Sequence, residues 1–253
     1  MSELNPNKLN SDDTTRDPWK KLYTVGAVAA IIFLLGTALD IIIGSTLGGN
    51  LFAVPETAVE RFSEFQENWL LGLYHLDLLN MITAIIMIPA FLALVAAHRQ
   101  DNGAFAILSL ICFIIGTSIF IANNAALPMF QLSKKYAALT SESQKALLAA
   151  AGEALLAKGA HGSLGVFTGF ALITTSDIII SLVMLTGKVF TKISAWTGIL
   201  GSTLLLLYIV LVTFVPSVKS MAVAFSAPGG LLTMAWMVLF TARLFKLGCR
   251  KKS

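Results

Sequence analysis

One stretch of the chain, from Trp69 to His98, constrains the fold more than any other. It is apolar enough to cross a bilayer, yet its first half carries His75, Asp77 and Asn80. Such groups are costly in hydrocarbon and usually face the interior of a helix bundle or a water-filled cavity. The stretch therefore predicts a helical membrane protein whose interior is partly polar.

The composition of the chain points to the same class of protein. Of its 253 residues, 56% are hydrophobic and 13% are charged, whereas about a quarter of the residues in soluble domains are charged. The net charge is +4, but the basic residues cluster at the ends of apolar segments. That clustering indicates membrane topology, so we expect the lipid bilayer as a partner and no nucleic acid.

Apolar runs separated by polar turns predict an all-α, polytopic membrane protein with six transmembrane helices. The spans are expected at about 22–44, 69–97, 103–126, 161–186, 194–215 and 222–245, close to or above the roughly 20 residues that a bilayer requires. They form a single domain over residues 17–247. Residues 1–16 are predicted to be a disordered cytoplasmic tail, and residues 248–253 a basic cytoplasmic tail.

Two of these spans contain helix-breaking residues. Pro89 predicts a kink in the second span, because proline removes a helical hydrogen bond. In the sixth, the run from Leu231 to Arg243 would give only about 18 Å of helix. That span must therefore begin before Pro228, which predicts a kink or break at this proline and the two glycines after it.

Two polar insertions predict amphipathic helices on the outer face. In residues 55–68, apolar side chains share one helical face and glutamates cover the others, a pattern typical of a helix lying on the membrane interface. In residues 133–159, Ser141 and Gln144 form a capping-box pattern before a helix over 142–158.

The distribution of basic residues predicts the orientation. Six spans place both termini on the same side of the membrane. That side carries 12 Lys and Arg residues and the other side 6. By the positive-inside rule, both termini are expected in the cytoplasm.

With this topology, several polar residues lie at a similar depth on the outer side. Asp77, Asn80, Asn123 and Asn124 are expected to line an outward-opening pocket. On an ideal helix His75 is turned by roughly 200 degrees from Asp77, so the two cannot both point into one narrow site. The alternative is that these groups are interhelical hydrogen bonds of about 0.6 to 2 kcal/mol each. Both interpretations stay open for Asp77.

The fourth span carries two further features. Asp177 lies past its middle, with Thr174 and Ser181 on the same face, and is either a hydrogen-bonded neutral acid or a proton or cation site. Nearer the start of the span, small residues form a face that lets another helix approach closely. This face, Gly162, Gly165 and Gly169, is a candidate for homo-oligomer contacts.

Motifs of known chemistry are absent from the sequence. It contains no Gly-x-Ser-x-Gly elbow, no His-Glu-x-x-His motif, no phosphate-binding glycine loop and no closely spaced pair of histidines. We therefore assign no catalytic residue, no metal site and no cofactor.

Several runs resemble bacterial membrane proteins grouped as domain-of-unknown-function family 4386. These runs are Trp69-Leu-Leu-Gly-Leu-Tyr-His-Leu-Asp77, Tyr136-Ala-Ala-Leu-Thr-Ser-Glu-Ser-Gln144 and Ala151-Gly-Glu-Ala-Leu-Leu156. The resemblance implies a six-span fold in a prokaryotic plasma (inner) membrane and no particular activity. It also draws attention to Asp77 and Glu153.

The leading hypothesis is a small-ligand-binding or transport-like bundle. Its pocket would be covered by helix 142–158 and lined by polar residues of the outer half, namely Asp77, Asn80, His75, Asn123, Asn124 and Glu153. The alternative is a non-catalytic membrane scaffold or stress-response interaction protein, in which the polar residues only fix helix packing. An intramembrane enzyme is the third hypothesis.

Overall fold

A computed structural model describes residues 18–46 and 55–249; the tail predicted over 1–16 and most of the basic tail lie outside these ranges. The described residues are helical and contain no strand. Eleven helices follow in order: α1 (Pro18–Thr46), α2 (Ala58–Glu67), α3 (Trp69–His75), α4 (Leu78–Ile86), α5 (Ile88–His98), α6 (Gly103–Asn123), α7 (Ala126–Ala138), α8 (Glu142–Gly159), α9 (Leu164–Thr186), α10 (Lys192–Phe214) and α11 (Lys219–Cys249).

Six helical segments in the described ranges are long and apolar enough to cross a membrane, which confirms the predicted number. They are Trp19–Ile43, Leu78–His98, Gly103–Ala138, Glu142–Thr186, Lys192–Phe214 and Ala224–Cys249. Side-chain caps set the start of two of them. Ser163 accepts a hydrogen bond from the Val166 amide before α9, and Thr191 accepts one from Ser194 before α10.

The six spans pack in a closed order. α1 packs against α5 and α11, α10 lies between α9 and α11, and α6 lies between α5 and α9. α4 continues the α5 position and contacts α1 and α6. The second span, α4 and α5, is therefore on the opposite side of the bundle from α10.

The two ends of the bundle are built differently. At one end, which we call the capped end, lie α2, α3, α7 and α8; at the other, the terminal end, α1 begins and α11 ends. The main apolar core lies toward the terminal end. It contains Phe91, Phe113, Met184, Trp236 and Phe240, with the rings of Phe91 and Phe113 stacked at 3.9 Å between centroids.

Helix α1 shows how burial changes along the bundle. Ala27 and Ala30 are fully buried near the terminal end. No described side chain of α1 beyond Ala30 is buried, and Leu35 and Ile42 are 65% and 56% exposed. Toward the capped end α1 thus presents an exposed face, while its Gly36 packs closely on α4, where a Cβ would lie 2.5 Å from Thr83 Cγ2.

The cap has an apolar core of its own. Phe62 and Phe65 of α2 pack with Leu73, Met129 and Leu156, which belong to α3, α7 and α8. The sequence predicts two amphipathic helices at this end, whereas the structure has four cap helices, α2, α3, α7 and α8. The prediction missed α7 because residues after 126 continue the apolar run of the third span, and only the break at Asn124 and Ala125 separates them.

The second span differs from the continuous helix expected over 69–97. It is divided into α3, α4 and α5 by breaks at Leu76–Asp77 and at Met87. Pro89 lies in the first turn of α5. Backbone amides in a first turn have no helical carbonyl acceptor, so the lack of an amide hydrogen on Pro89 costs no helical hydrogen bond. Pro228, in contrast, lies inside the unbroken helix α11.

The predicted small-residue face is used within the chain. A Cβ on Gly169 would lie 2.9 Å from the Gly116 carbonyl oxygen of α6, and one on Gly165 would lie 3.0 Å from Asn123 Cγ. Gly162 has a positive φ of 83° in the turn before α9, a conformation that glycine adopts without strain. The close approach permitted by Gly169 is thus made to α6 of the same chain, and that permitted by Gly165 to α6 and to the Lys158 carbonyl oxygen of α8.

Candidate functional site

The break between α3 and α4 places Asp77 in an unusual backbone conformation. Its φ and ψ are 61° and 25°, in the left-handed region, and among the described residues it is the one non-glycine residue with positive φ. Aspartate tolerates this region better than most residues, because its short polar side chain makes local hydrogen bonds. Such outliers concentrate at functional sites.

The carboxylate of Asp77 has one close partner and one distant partner. Asn80 Nδ2 donates to Oδ1 at 3.0 Å from one turn further along α4. His161 Nδ1 lies 3.6 Å from Oδ2, longer than an ordinary hydrogen bond. The Asp77 side chain is 21% exposed and that of His161 is 46% exposed. The site is therefore open at its edge.

His161 extends this contact to the other side of the bundle. Its Nε2 lies 2.7 Å from the hydroxyl of Tyr208, a residue of α10. Since the second span and α10 are on opposite sides, the chain Asp77–His161–Tyr208 crosses the bundle at the capped end. His161 thus bonds to Tyr208 through Nε2 and faces the Asp77 carboxylate with Nδ1 at a longer distance.

A second polar group ties the cap to α3. His75 Nδ1 lies 2.5 Å from Glu64 Oε1, and Arg61 donates to Glu64 Oε2 at 3.1 Å. Burial lowers the pKa of Arg61. Burial also raises the pKa of Glu64, but the hydrogen bond from His75 and the neighbouring positive charges outweigh it, so that pKa lies below its ordinary value.

His75 and Asp77 thus point to different neighbours, as the ideal-helix argument required. His75 turns to α2, whereas Asp77 turns to the segment before α9. Unlike the ideal helix, the chain between them is broken at Leu76–Asp77. A third contact fixes α3 on α1, because the hydroxyl of Tyr74 donates to the carbonyl oxygen of Asp40 at 2.9 Å.

The other predicted pocket residues bond to the backbone of the chain. Asn123 Nδ2 donates to the carbonyl oxygen of Gly165 at 3.0 Å, and Asn124 Nδ2 donates to that of Leu76 at 2.9 Å. Glu153 Oε1 accepts from the amide of Ala58 at 2.7 Å, at the first turn of α2. These contacts hold the junction between the cap and the spans.

Helix α8, predicted to cover the pocket, lies against α2. Gly152 permits this contact, because a Cβ there would be 2.7 Å from Ala58 Cβ and 2.9 Å from the ring of Phe62. Ser141 is the N-cap residue of α8, but its side chain bonds to Ser143 and not to the helix backbone. The sequence placed the helix correctly, although the capping box did not form.

An open depression of about 460 Å³ lies on the cap, lined by Phe65, Gln66, Trp69, Phe130 and Lys134. Its walls are mostly aromatic, and Lys134 Nζ is 4.1 Å from the centre of the Phe130 ring. None of its lining residues belongs to the group around Asp77. The depression and the polar site are therefore separate.

Asp177 lies deeper, in α9, and is 6% exposed. Thr174 and Ser181 share its helical face, but neither bonds to it. Thr174 donates to the carbonyl oxygens of Phe170 and Ala171, and Ser181 has no hydrogen-bond partner among the described residues. Neither Thr174 nor Ser181 therefore provides the hydrogen bond to a neutral Asp177 carboxyl group that the sequence allowed.

Sequence reasoning missed two members of the polar site. His161 lies at the start of the fourth predicted span, which the topology puts on the outer side, at the level of Asp77. Tyr208 lies within the fifth apolar span and has no local pattern that distinguishes it. Only the packing of α10 against α9 brings its hydroxyl to His161.

No family model matches the chain, and no curated protein or solved structure matches it either. The resemblance to domain-of-unknown-function family 4386 therefore rests on the quoted sequence runs alone.

Proposed function

We propose that the protein is a small-ligand-binding, transport-like membrane bundle whose polar site lies at the capped end around Asp77. The observation that carries this proposal is the chain Asp77–His161–Tyr208, which connects opposite sides of the bundle. A residue held in a left-handed conformation at a broken span is typical of ligand sites in membrane bundles, where irregular backbone lines a cavity.

The weak contact to His161 favours a ligand with a positive charge or a hydrogen-bond donor. Asp77 Oδ2 has its nearest ion-pair partner at 3.6 Å, so a donor at 2.7 to 2.9 Å would be a stronger partner. Tyr74 and Tyr208 add aromatic surface close to this carboxylate, and aromatic faces attract organic cations. The proposed ligand class is therefore a small ammonium or guanidinium compound.

The position of the main apolar core supports entry of a ligand from the capped end. The apolar core lies toward the terminal end, so a ligand entering from the cap would reach the polar site before it met the core. We further propose that the cap faces outward and that both termini are cytoplasmic, in a plasma membrane, as the distribution of Lys and Arg favours.

Thermal unfolding of the purified protein in detergent tests the proposal, with methylammonium, ethanolamine and guanidinium as cationic probes and acetate as the anionic control. We expect at least one low-millimolar cation to raise the Tm of the protein, because a ligand that binds only the folded state stabilises it. Acetate should not raise it.

The matched variant is Asp77→Asn, which retains the side-chain shape and the ability to adopt the left-handed backbone. The proposal requires that this variant lose the response to cations. If no cation raises the Tm of the unmodified protein, or if the variant responds equally, the site is not a cation-binding site. The scaffold hypothesis, in which these residues only fix helix packing, would then be favoured.

A further inference from the structure

Asp177 belongs to a buried layer between α9, α10 and α11 that is rich in hydroxyl groups. Ser181 and Ser202 are fully buried, and their hydroxyl oxygens have no hydrogen-bond partner among the described residues. Thr233 of α11 is 6% exposed and donates to the carbonyl oxygen of Gly229. The layer is therefore polar although it lies within apolar spans.

The contacts of α9 with α10 place Asp177 and Ser202 at the same level. A Cβ on Gly198 of α10 would overlap Ser181 Oγ of α9. The two helices are consecutive and antiparallel neighbours, so four residues back along α9 correspond to four residues forward along α10. One helical turn from the Ser181–Gly198 contact, Asp177 and Ser202 therefore face the same layer.

Helix α11 closes this layer with its proline-containing segment. A Cβ on Gly201 would lie 2.7 Å from Thr233 Oγ1, and one on Gly229 would lie 3.2 Å from the carbonyl oxygen of Gly201. Pro228 has no amide hydrogen, so one helical carbonyl oxygen in this segment lacks its usual donor. A backbone carbonyl oxygen without its helical donor can serve as an ion ligand, as carbonyl oxygens do in membrane transporters.

No ion pair among the described residues includes Asp177. A carboxylate buried in this way needs a proton or a cation. We propose that Asp177, Ser181 and Ser202 form a binding site for a monovalent cation such as Na⁺. This site is distinct from the proposed site around Asp77 and does not depend on it.

The chemistry of the proposed ligands favours a cation with a single positive charge. Carboxylate and hydroxyl oxygens are the ligands of hard cations. One carboxylate neutralises one charge, so a divalent ion would leave an uncompensated positive charge in the bundle. A proton on Asp177 alone would leave the hydroxyl oxygens of Ser181 and Ser202 without a partner among the described residues. A cation would be a partner for both of them.

Thermal unfolding in detergent at constant ionic strength tests the proposal, with Na⁺ exchanged for N-methylglucamine. The background is Asp77→Asn, so that the site at the capped end does not contribute. We expect the Tm to rise by about 3 to 6 °C for each tenfold increase in Na⁺ above its dissociation constant. In the Asp177→Asn variant this dependence should disappear.

Ser202→Ala and Ser194→Ala form a matched pair on α10. Both serines are buried and lack a hydrogen-bond partner among the described residues, but Ser194 is eight residues away, about 12 Å along the helix. Ser202→Ala should weaken the Na⁺ dependence at least threefold, and Ser194→Ala should leave it unchanged. If Asp177→Asn does not fold, the comparison of Ser202→Ala with Ser194→Ala still tests the cation site.

Two results would overturn the cation site. One is a Tm that does not respond to Na⁺ in the background protein. The other is a response that Ser202→Ala and Asp177→Asn both retain. A Tm that depends on pH through Asp177 but not on Na⁺ would identify a proton site instead.

Discussion

The terminal and capped halves of this bundle are stabilised by different contacts. In the terminal half, large side chains such as Trp236, Phe91 and Phe240 are fully buried and pack against each other. In the capped half, the spans are joined by polar contacts, including Asp77–His161 and Asn124–Leu76. Because lipid removes most of the hydrophobic driving force between helices, tightly packed large side chains dominate the first half, whereas specific polar contacts add to close glycine packing in the second.

This comparison predicts that the largest loss of stability comes from the terminal half. Trp236 is fully buried, and its Nε1 donates to Met184 Sδ at 3.4 Å. We expect Trp236→Ala to lower the free energy of unfolding by about 3 to 5 kcal/mol, because the substitution leaves a large cavity. Unfolding in mixed micelles by titration with dodecyl sulfate measures this loss.

The control in the capped half is Leu35→Ala, at a side chain that is 65% exposed. It should cost less than about 1 kcal/mol. Equal losses for Trp236→Ala and Leu35→Ala would contradict the claim that the packing of Trp236 stabilises the terminal half.

A smaller loss is predicted for the ion pair between α2 and α3. Glu64→Gln removes the charge that faces Arg61 and His75, and we expect it to cost about 1 to 3 kcal/mol at pH 7. Glu142→Gln is the control, because Glu142 also pairs with a basic residue three positions away, Lys145, but is 86% exposed. It should cost less than about 0.5 kcal/mol.

The same pair predicts a pH dependence. The folded-state pKa of Glu64 lies below its ordinary value of 4.5. Its contribution to stability is therefore complete above pH 4.5 and is lost as the pH falls through the folded-state pKa. The difference in stability between the protein and Glu64→Gln should narrow in this acid range, and a difference that stays constant would argue against the pair.

A third prediction separates the backbone of Asp77 from its carboxylate. Asp77→Ala and Asp77→Gly both remove the carboxylate, but only glycine adopts the left-handed conformation without strain. We expect Asp77→Ala to be less stable than Asp77→Gly by about 1 kcal/mol in the same micelle titration. Equal stabilities would show that the left-handed backbone at this break is not a constraint on the fold.

The smallest effect is expected where α8 contacts α2. Glu153→Ala removes the acceptor for the Ala58 amide and should cost about 1 kcal/mol. Glu153→Gln keeps a carbonyl oxygen at this position and should cost less. If the two variants are equally destabilised, this hydrogen bond is not the reason for the loss.

The sequence predicted the features that depend on long patterns. Six apolar runs gave six helices of sufficient length, and the polar insertion after Ser141 gave helix α8. The break at Asp77 was not predictable from pattern, because Leu76 and Leu78 continue the apolar run on both sides. Only the tertiary contacts of α3 with α2 and α1 show why the helix stops there.

The sequence predicted some residues of the candidate site, and the others depend on packing. Asp77 and Asn80 were found because polar groups within an apolar run are conspicuous. Tyr208 was not, since a tyrosine in a span is common and its role depends on the position of His161. The depth of a residue follows from sequence, whereas its partner across the bundle follows from packing.

The most direct test of the central claim measures water access to single cysteines in a Cys112→Ala, Cys249→Ser background. Asn80→Cys reports on the capped half and Thr241→Cys, at a side chain 5% exposed in the original residue, on the terminal half. The thiols are challenged with a membrane-impermeant methanethiosulfonate reagent, added to both sides of membranes that contain the folded protein.

The account predicts that Asn80→Cys reacts rapidly and that Thr241→Cys is protected, because water reaches the polar site but not the packed core. Protection of Asn80→Cys in folded protein would contradict the account, since the polar groups around Asp77 would then lie in a sealed bundle.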